Sequence, residues 1–369
     1  THENNIDMHS SPSLLFNFLH VVFILSYLQN DMKRVLIKPV TYYKNMKGKN
    51  TRNILCEYFG SLYFVPNDMV DLMKWICNEC HNASLVIDDI QDHSTSRRNH
   101  PCAHLVYGVA YSLNAGYLTA FQTLSILPRK VREVLERVLG KTHKLDSPSK
   151  HQIDSLVQSI TQMAMDNIYH MHIGQGLDIY WSTNHITPSI DEYLVMIEYK
   201  TGILFTMVIE FYELVMTSTI SLIHKETSLE SLRKLCHFFQ IRDDYVNITD
   251  KRFWEEKGIC EDFDEKKQTY PIILFYHHPT IPKEEKKRFF HLFYKPQLTF
   301  SDKLSLLSTL NKYDILKQTY EHLLGLKRDL EKEICIPFLY DRLTLSPPFE
   351  GDTPYRNPFL YEKELNKLG

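Results

Sequence analysis

The chain has 369 residues, 43% of them apolar and 24% charged, a balance that fits a folded protein and excludes wholesale disorder. Its net charge of −3 gives no basis for nucleic acid or an anionic surface as a partner of the whole chain. With 12 glycines and neither a G-x-G-x-x-G nor a Walker A sequence, Gly-rich nucleotide loops are excluded too.

In chain order, the first feature is residues 14–28, LLFNFLHVVFILSYL. They are strongly apolar, yet Asn17, His20 and Ser26 interrupt them and the run is short for a membrane span. Two readings stand side by side: a targeting or anchoring segment that brings membrane contact, and an extension without function. Residues 1–31 are therefore set apart from a body at 32–345, and the tail at 346–369 reads as loop with a terminal helix. The seven cysteines are odd in number and scattered, which points to reduced thiols. Both glycosylation sequons, at Asn82 and Asn247, lie against acidic motifs that a glycan would block. A cytoplasmic setting is expected, with a mitochondrial or membrane-associated one as the alternative if residues 14–28 act as a signal.

Residues 69–90, 153–180, 190–219, 229–247 and 304–336 are long, Pro-free and apolar at helical spacing. No alternating run bounded by turn residues marks a sheet, so one all-α domain is expected.

The end of the first of these segments, residues 77–92, reads CNECHNASLVIDDIQD. It opens on C-x-x-C-H, the pattern that attaches a c-type haem, and closes on three carboxylates, Asp88, Asp89 and Asp92. At helical spacing such carboxylates sit about 5–6 Å apart and repel one another. Mg²⁺, a hard cation that takes oxygen ligands shared with substrate phosphates, relieves that repulsion. A lone motif of this kind is most simply a solvated helix end. Here a second follows, FFQIRDDYVNITD, with Asp243, Asp244, Asn247 and Asp250 at the same spacing. Two acid clusters, each closing an apolar helix, can face each other and hold metal between them. Cations accompany both: Lys49 and Arg52, Arg97 and Arg98, Lys200, then Lys251, Lys257, Lys266 and Lys267. Arginine gives bidentate contacts to phosphate oxygens and lysine point-charge contacts. The whole set describes a metal-bound diphosphate above an apolar pocket.

HNASLVIDDIQD, the Arg97-Arg98 pair, H-x-x-Y-G, GQGLDIYW, Y-K-T-G and FFQIRDDYVN together resemble trans-isoprenyl diphosphate synthases, above all the animal geranylgeranyl diphosphate synthases. The match runs in order through residues 32–342. It implies an all-α bundle around a deep cavity, usually dimeric, that joins isopentenyl diphosphate to an allylic diphosphate with three Mg²⁺. By this resemblance Asp88, Asp89 and Asp92 bind two ions, and Asp243 and Asp244 the third, with Asn247 where many relatives carry Asp. Lys49, Arg52, His81 and Arg98 match the grip on the homoallylic diphosphate. Arg97, Lys200, Lys257 and Lys267 match the grip on the allylic one, and Thr201 and Gln240 stand near the reacting carbons. Asp88, Asp89, Asp92, Arg97, Lys200 and Asp243 would carry the chemistry, on farnesyl or geranylgeranyl diphosphate. His81 then belongs to this site, and Cys77 and Cys80 become core thiols. The sequence departs from the family at Ile203, Thr206 and Glu210, which replace small glycines, at Ile173, and at Lys266 within Glu265-Lys266-Lys267. Such changes fit a reshaped cavity. They keep open an alternative in which a terpene synthase cyclises a prenyl diphosphate.

Overall fold

In this computed structural model the described residues are 32–48, 50–141, 150–216, 222–250, 254, 259–334 and 345. The elements are almost all helices. They run α1 Lys38–Lys44, α2 Thr51–Leu62, α3 Asn67–Gln91, a hairpin of Ser96–Arg97 and His100–Pro101, α4 Ala103–Tyr107, α5 Val109–Lys141 and α6 Lys150–Asn184. After these come α7 Ile190–Ile197, a π-helical turn Glu198–Gly202, α8 Ile203–Val215 and α9 Leu222–Thr249. The series closes with α10 Glu261–Asp264, α11 Tyr270–His277, α12 Lys283–Phe293, α13 Phe300–Lys312 and α14 Ile315–Glu333. The expected all-α class holds.

Each long helix forms because its apolar residues recur on one face. On α3 the buried set is Met69, Met73, Ile76, Cys80, Ala83 and Ile87, a stripe at spacings of three and four. α7 begins at a capping box in which Ser189 and Glu192 satisfy each other's backbone donors. α2, α3, α5, α6, α8 and α9 pack around one large core that buries Phe59, Phe211, Tyr212, Phe238 and Tyr245 completely or nearly so. A smaller cluster of Val40, Tyr43, Val86, Ala103 and Ala115 ties α1 and α4 to the ends of α3 and α5.

Four details differ from the sequence expectation. Residues 304–336 are two helices, because Asp314 takes a left-handed conformation (φ 57°) that ends one and starts the next. Residues 190–215 are interrupted by the π-helical turn, and 217–219 lie outside the described residues. α5 was not marked by apolar spacing, since Pro128 sits inside it and Ala110, Ala115, Gly116 and Ala120 blur its face. The fourth is the hairpin, whose turn residues Arg98 and Asn99 are both left-handed (φ 53° and 63°). That is the geometry a two-residue hairpin loop demands, and it turns the Arg97–Arg98 pair back over the end of α3. The segments 1–31 and 346–369 fall outside the described residues. Among the described helices none is long and apolar enough to cross a membrane.

Candidate functional site

A cavity of about 1790 Å³ opens between α3, α6, α8 and α9. Its walls follow from helical register. On α3, Ala83 and Ser84, Ile87 and Asp88, then Gln91 and Asp92 face inward turn by turn. α6 contributes Ile168, Met171, His172 and Gln175; α8 contributes Leu204 and Phe205; α9 contributes Phe239, Gln240, Asp243 and Asp244. The lower cavity is therefore apolar and the mouth is charged.

Asp88 and Asp92 face this mouth, and Asp243 faces it from α9. Gln175 Nε2 donates to Asp88 Oδ1 at 3.1 Å, and Lys267 Nζ donates to Asp92 Oδ2 at 2.8 Å. Asp89 is elsewhere. It is 0% exposed, accepts from Arg97 Nε at 2.9 Å and from the Tyr43 hydroxyl, and does not line the cavity. Tyr43 in turn accepts from the Ala103 amide at 2.9 Å. The expected face of three carboxylates is thus a pair, and Asp89 serves a buried ion pair behind it. A buried carboxylate must be neutralised where it sits, so Arg97 is drawn inward as well.

The second motif divides in the same way. Asp244 lines the cavity, but its oxygens accept from Tyr193 OH (2.6 Å), the Tyr270 amide (2.8 Å) and Gln240 Nε2 (3.1 Å). Burial raises its carboxyl to about 6 against these stabilising bonds. Asn247 is buried away from the cavity, and its Oδ1 accepts from the Asp262 amide at 3.3 Å. Among the described residues no three His, Cys, Asp or Glu side chains stand close enough to form a ready-made metal cluster. The hard oxygen donors Asp88, Asp92 and Asp243, facing one mouth from two helices, nonetheless suit Mg²⁺ ions whose remaining positions are filled by water and phosphate.

Two groups of cations border the mouth. Lys200 Nζ donates to Asp178 Oδ2 at 2.6 Å and lies 3.5 Å from Asp88. Burial alone would lower its pKa, but Asp178 and Asp88 outweigh it and the ammonium is held charged. Lys267 bridges Asp92 and Glu265 at 2.8 Å each, while burial pushes the Glu265 carboxyl up to about 7. The other group is Arg52, His81 and Arg98. Burial first, then Arg98, pushes Arg52 down to about 10. His81 is held well below the usual imidazole range by burial and then by Arg52, Arg98 and Arg97. Arg98 Nη1 donates to the Met46 carbonyl at 3.0 Å and lies against Gly48, where a β-carbon would come within 2.8 Å of Nη2. Arg52 Nε is buried with no hydrogen-bond partner among the described residues. Two guanidiniums beside an imidazole kept uncharged, which still offers a ring N–H, suit an anion. Lys49 and Lys257 lie outside the described residues.

The π-helical turn sets Lys200. Gly174 of α6 packs on it so closely that an added β-carbon would press into Lys200 N and stand 2.9 Å from Lys200 Cα and Tyr199 C. On the other side Thr201 Oγ1 donates to Gln240 Oε1 at 3.0 Å. Reading from the sequence missed Tyr43, Gln175, Asp178 and Glu265. Gln175 and Asp178 lie within GQGLDIYW, so the motif held the signal; Tyr43 carries none. Cys77 and Cys80 are buried, with Cys77 Sγ donating to the Leu204 carbonyl at 3.7 Å, which agrees with core thiols. Ile173, Ile203, Thr206 and Glu210 are not among the cavity-lining residues, and Glu210 accepts from Asn167 at 2.8 Å. The expected reshaping of the cavity by these substitutions does not reach its wall.

A family profile described as Polyprenyl synthetase matches residues 33–299. The chain belongs to that family. It is an enzyme of isoprenoid biosynthesis, a trans-prenyltransferase by descent. It is 32% identical over 305 residues to a protein named terpene synthase from Matsumurasca onukii, covering 83% of this chain and 89% of that one. It is 30% identical over 247 residues to a geranylgeranyl pyrophosphate synthase of Clitopilus passeckerianus, covering 66% of this chain and 64% of that one. It is 31% identical over 305 residues to the preasperterpenoid A synthase of Talaromyces verruculosus, covering 82% of this chain but only 35% of that protein's length.

Two outcomes follow from this polyprenyl synthetase site. Gly174→Ala must displace the turn that carries Lys200, so turnover should fall on the order of 10–100-fold, the loss expected when one charged hydrogen bond is misplaced. Steady-state kinetics beside an unchanged circular dichroism spectrum test this, and full activity would remove Gly174 from the account. The depressed His81 pKa gives a pH dependence. As pH falls through the ordinary value of 6.5, the unfolded chain takes up a proton that the folded one resists. His81 alone therefore contributes a loss of stability on acidification, of at most about 1.4 kcal/mol per pH unit for one proton, against the opposite contribution of the raised Asp244 and Glu265 carboxyls. Urea titrations between pH 5 and 7 should show His81→Asn losing less stability on acidification than the unmodified chain; an identical pH dependence would remove His81 from the account.

Proposed function

We propose that the chain is a Mg²⁺-dependent prenyltransferase that condenses isopentenyl diphosphate with farnesyl diphosphate and releases geranylgeranyl diphosphate. One observation carries the reading. Arg52 and Arg98, with the uncharged His81 ring beside them, form a second cationic group on the cavity, apart from the lysines that pair with Asp88 and Asp92. An enzyme that ionises a single diphosphate has no use for a second such grip. By the family resemblance alone, Lys49 would join the first three residues and Lys257 would join Lys200 and Lys267.

In this reading Lys200, Lys267 and Lys257 hold the allylic diphosphate, and Arg97 supports the mouth through Asp89. Asp88, Asp92 and Asp243 would hold the Mg²⁺ ions, three per site, with Asp244 and Asn247 behind them; when bound these ions supply positive charge at the leaving oxygens. The allylic C–O bond breaks and its electron pair leaves with the diphosphate. The double bond of isopentenyl diphosphate, held by Arg52, His81, Arg98 and Lys49, attacks the allylic carbon. A C–C bond forms, and the proton lost from the adjacent carbon goes to the released diphosphate. Thr201 and Gln240 lie beside the reacting carbons, and the chain extends downward past Ala83 and Ser84. The buried free cysteines among the described residues support a reducing, cytoplasmic setting. The likeness to a terpene synthase over 89% of that protein supports a second reading, in which the substrate's own distant double bond attacks.

Asp88→Ala or Asp243→Ala should lower turnover by about 10³-fold or more without unfolding the protein, and a chelator should do the same to the unmodified enzyme. Full activity in either case would refute the metal assignment. Arg98→Ala should raise KM for isopentenyl diphosphate by roughly 10–100-fold, the worth of a charge-assisted hydrogen bond. Ala83→Phe should shorten the product, because the ring fills the space the chain enters. Chromatography of the products decides between the readings. A hydrocarbon released from a prenyl diphosphate, with isopentenyl diphosphate ignored, would establish the second.

A further inference from the structure

A second cavity, of about 550 Å³, opens beside the mouth of the first. Gln91, Asp92, Ile179, Glu261, Glu265 and Lys267 line both, so the two meet at the Asp92–Lys267–Glu265 bridge. Three basic residues on the outer wall, His93, His185 and Lys266, come from separate parts of the chain. Each is left-handed, with φ of 56°, 55° and 57°. A side chain in that conformation carries strain that glycine avoids. Such strain persists only where the surrounding structure enforces it, and it gathers at ligand sites.

Lys266 is the cation here without a match. Its side chain is half-buried, and its Nζ is shielded from solvent with no hydrogen-bond partner among the described residues. The ammonium stands 5.9 Å from the centre of the Phe293 ring. Burial lowers its pKa, Asp264 opposes this, and Lys303 lowers it further. Most carboxylates of the cavity already hold other lysines. Lys267 holds Asp92 and Glu265, Lys200 holds Asp178, and Lys303 pairs with Asp264 and donates to the Ile259 carbonyl at 2.7 Å. Glu261 lies where the two cavities join. A buried ammonium with no acceptor is destabilising unless a ligand supplies one. The hydroxyls of Thr95, Ser182 and Thr183 on the same wall add neutral donors, which suits a small oxyanion.

One such anion arises next door. Breaking the allylic C–O bond frees a diphosphate at Lys200 and Lys267, and Lys267 is common to both cavities. We propose that the outer cavity binds inorganic diphosphate, with Lys266 as its cation, and that the leaving group passes through it on the way out. The exit role rests on the reading that the main cavity ionises a prenyl diphosphate, whichever double bond then attacks. The binding does not.

The test starts without turnover. Inorganic diphosphate is titrated into the full chain in EDTA, with the histidine ring NMR signals as the readout. His93 and His185 should shift, and Lys266→Met should weaken that binding by about 10-fold or more, the worth of one charge-assisted hydrogen bond. His81 reports any anion held by Arg52 and Arg98, and should respond alike in both proteins. Lys266→Gly, which suits the left-handed backbone, should bind as weakly as Lys266→Met with no loss of thermal stability. A titration that moves His81 alone, or unchanged affinity at His185 in either variant, overturns the site. Release is followed by rapid quench with an allylic diphosphate, isopentenyl diphosphate and Mg²⁺. The ratio of first-turnover to steady-state rate should rise about tenfold in Lys266→Met, because diphosphate then leaves more slowly. An unchanged ratio beside weakened binding overturns the exit role. Diphosphate that shifts His185 in a chain that turns over no prenyl diphosphate would keep the site and refute both the exit role and the reading of the main cavity.

Discussion

Two lysines hold the mouth of the cavity together, each by bridging carboxylates from separate parts of the chain. Lys200 joins Asp178 of α6 to Asp88 of α3, and Lys267 joins Asp92, the residue that caps α3, to Glu265. Concentrating carboxylates at the ends of apolar helices would otherwise drive those helices apart, since charge brought out of water must be matched nearby. The same pairs raise the pKa of both lysines where burial alone would lower it. Everything else at the mouth is arranged around this balance: the Asp89–Arg97 pair behind it, the Tyr193 and Tyr270 donors on Asp244, and the Arg52–His81–Arg98 group opposite.

The two cationic groups differ in kind. Lys200 and Lys267 already have carboxylate partners, so an anion or metal arriving there exchanges one ionic partner for another. Among the described residues Arg52 and His81 form no ion pair, and burial, then neighbouring arginines, lowers both proton affinities, with Asp88 only partly opposing this at His81. An anion at that position would relieve repulsion instead of competing with an existing pair, which suits a substrate that must bind without displacing metal ligands.

The helical class and the location of the site were legible because both rest on local signals. Apolar residues at helical spacing marked α3, α6 and α9, and the acids that end α3 and α9 marked the mouth. What the sequence did not show is which way individual carboxylates turn. Asp88, Asp89 and Asp92 look equivalent along the chain. Only the arrival of Tyr43, which lies 46 residues earlier than its partner, and of Arg97 from a hairpin turn takes Asp89 into the interior. Ile203, Thr206 and Glu210 misled for the same reason: departure from a family pattern says nothing of which face of α8 a residue occupies, and these turn away from the cavity. Asp314 broke a predicted helix through a single left-handed residue that no apolar pattern encodes.

The π-helical turn Glu198–Gly202 carries a consequence for how this chain can change length. Such a turn holds one residue more than an α-helix needs over the same rise. Deleting any residue there would let α7 and α8 merge into one continuous helix. Because the excess residue is absorbed within one wide turn, the residues after it keep their angular positions when it is lost. Leu204 and Phe205 would stay on the cavity wall, while Lys200 and Thr201, which lie inside the turn, would lose their present aim at Asp178 and Gln240. A single codon lost in this stretch would thus disturb the charged mouth while leaving the apolar lining and both acidic motifs in place. The turn lets the mouth change independently of the wall beneath it.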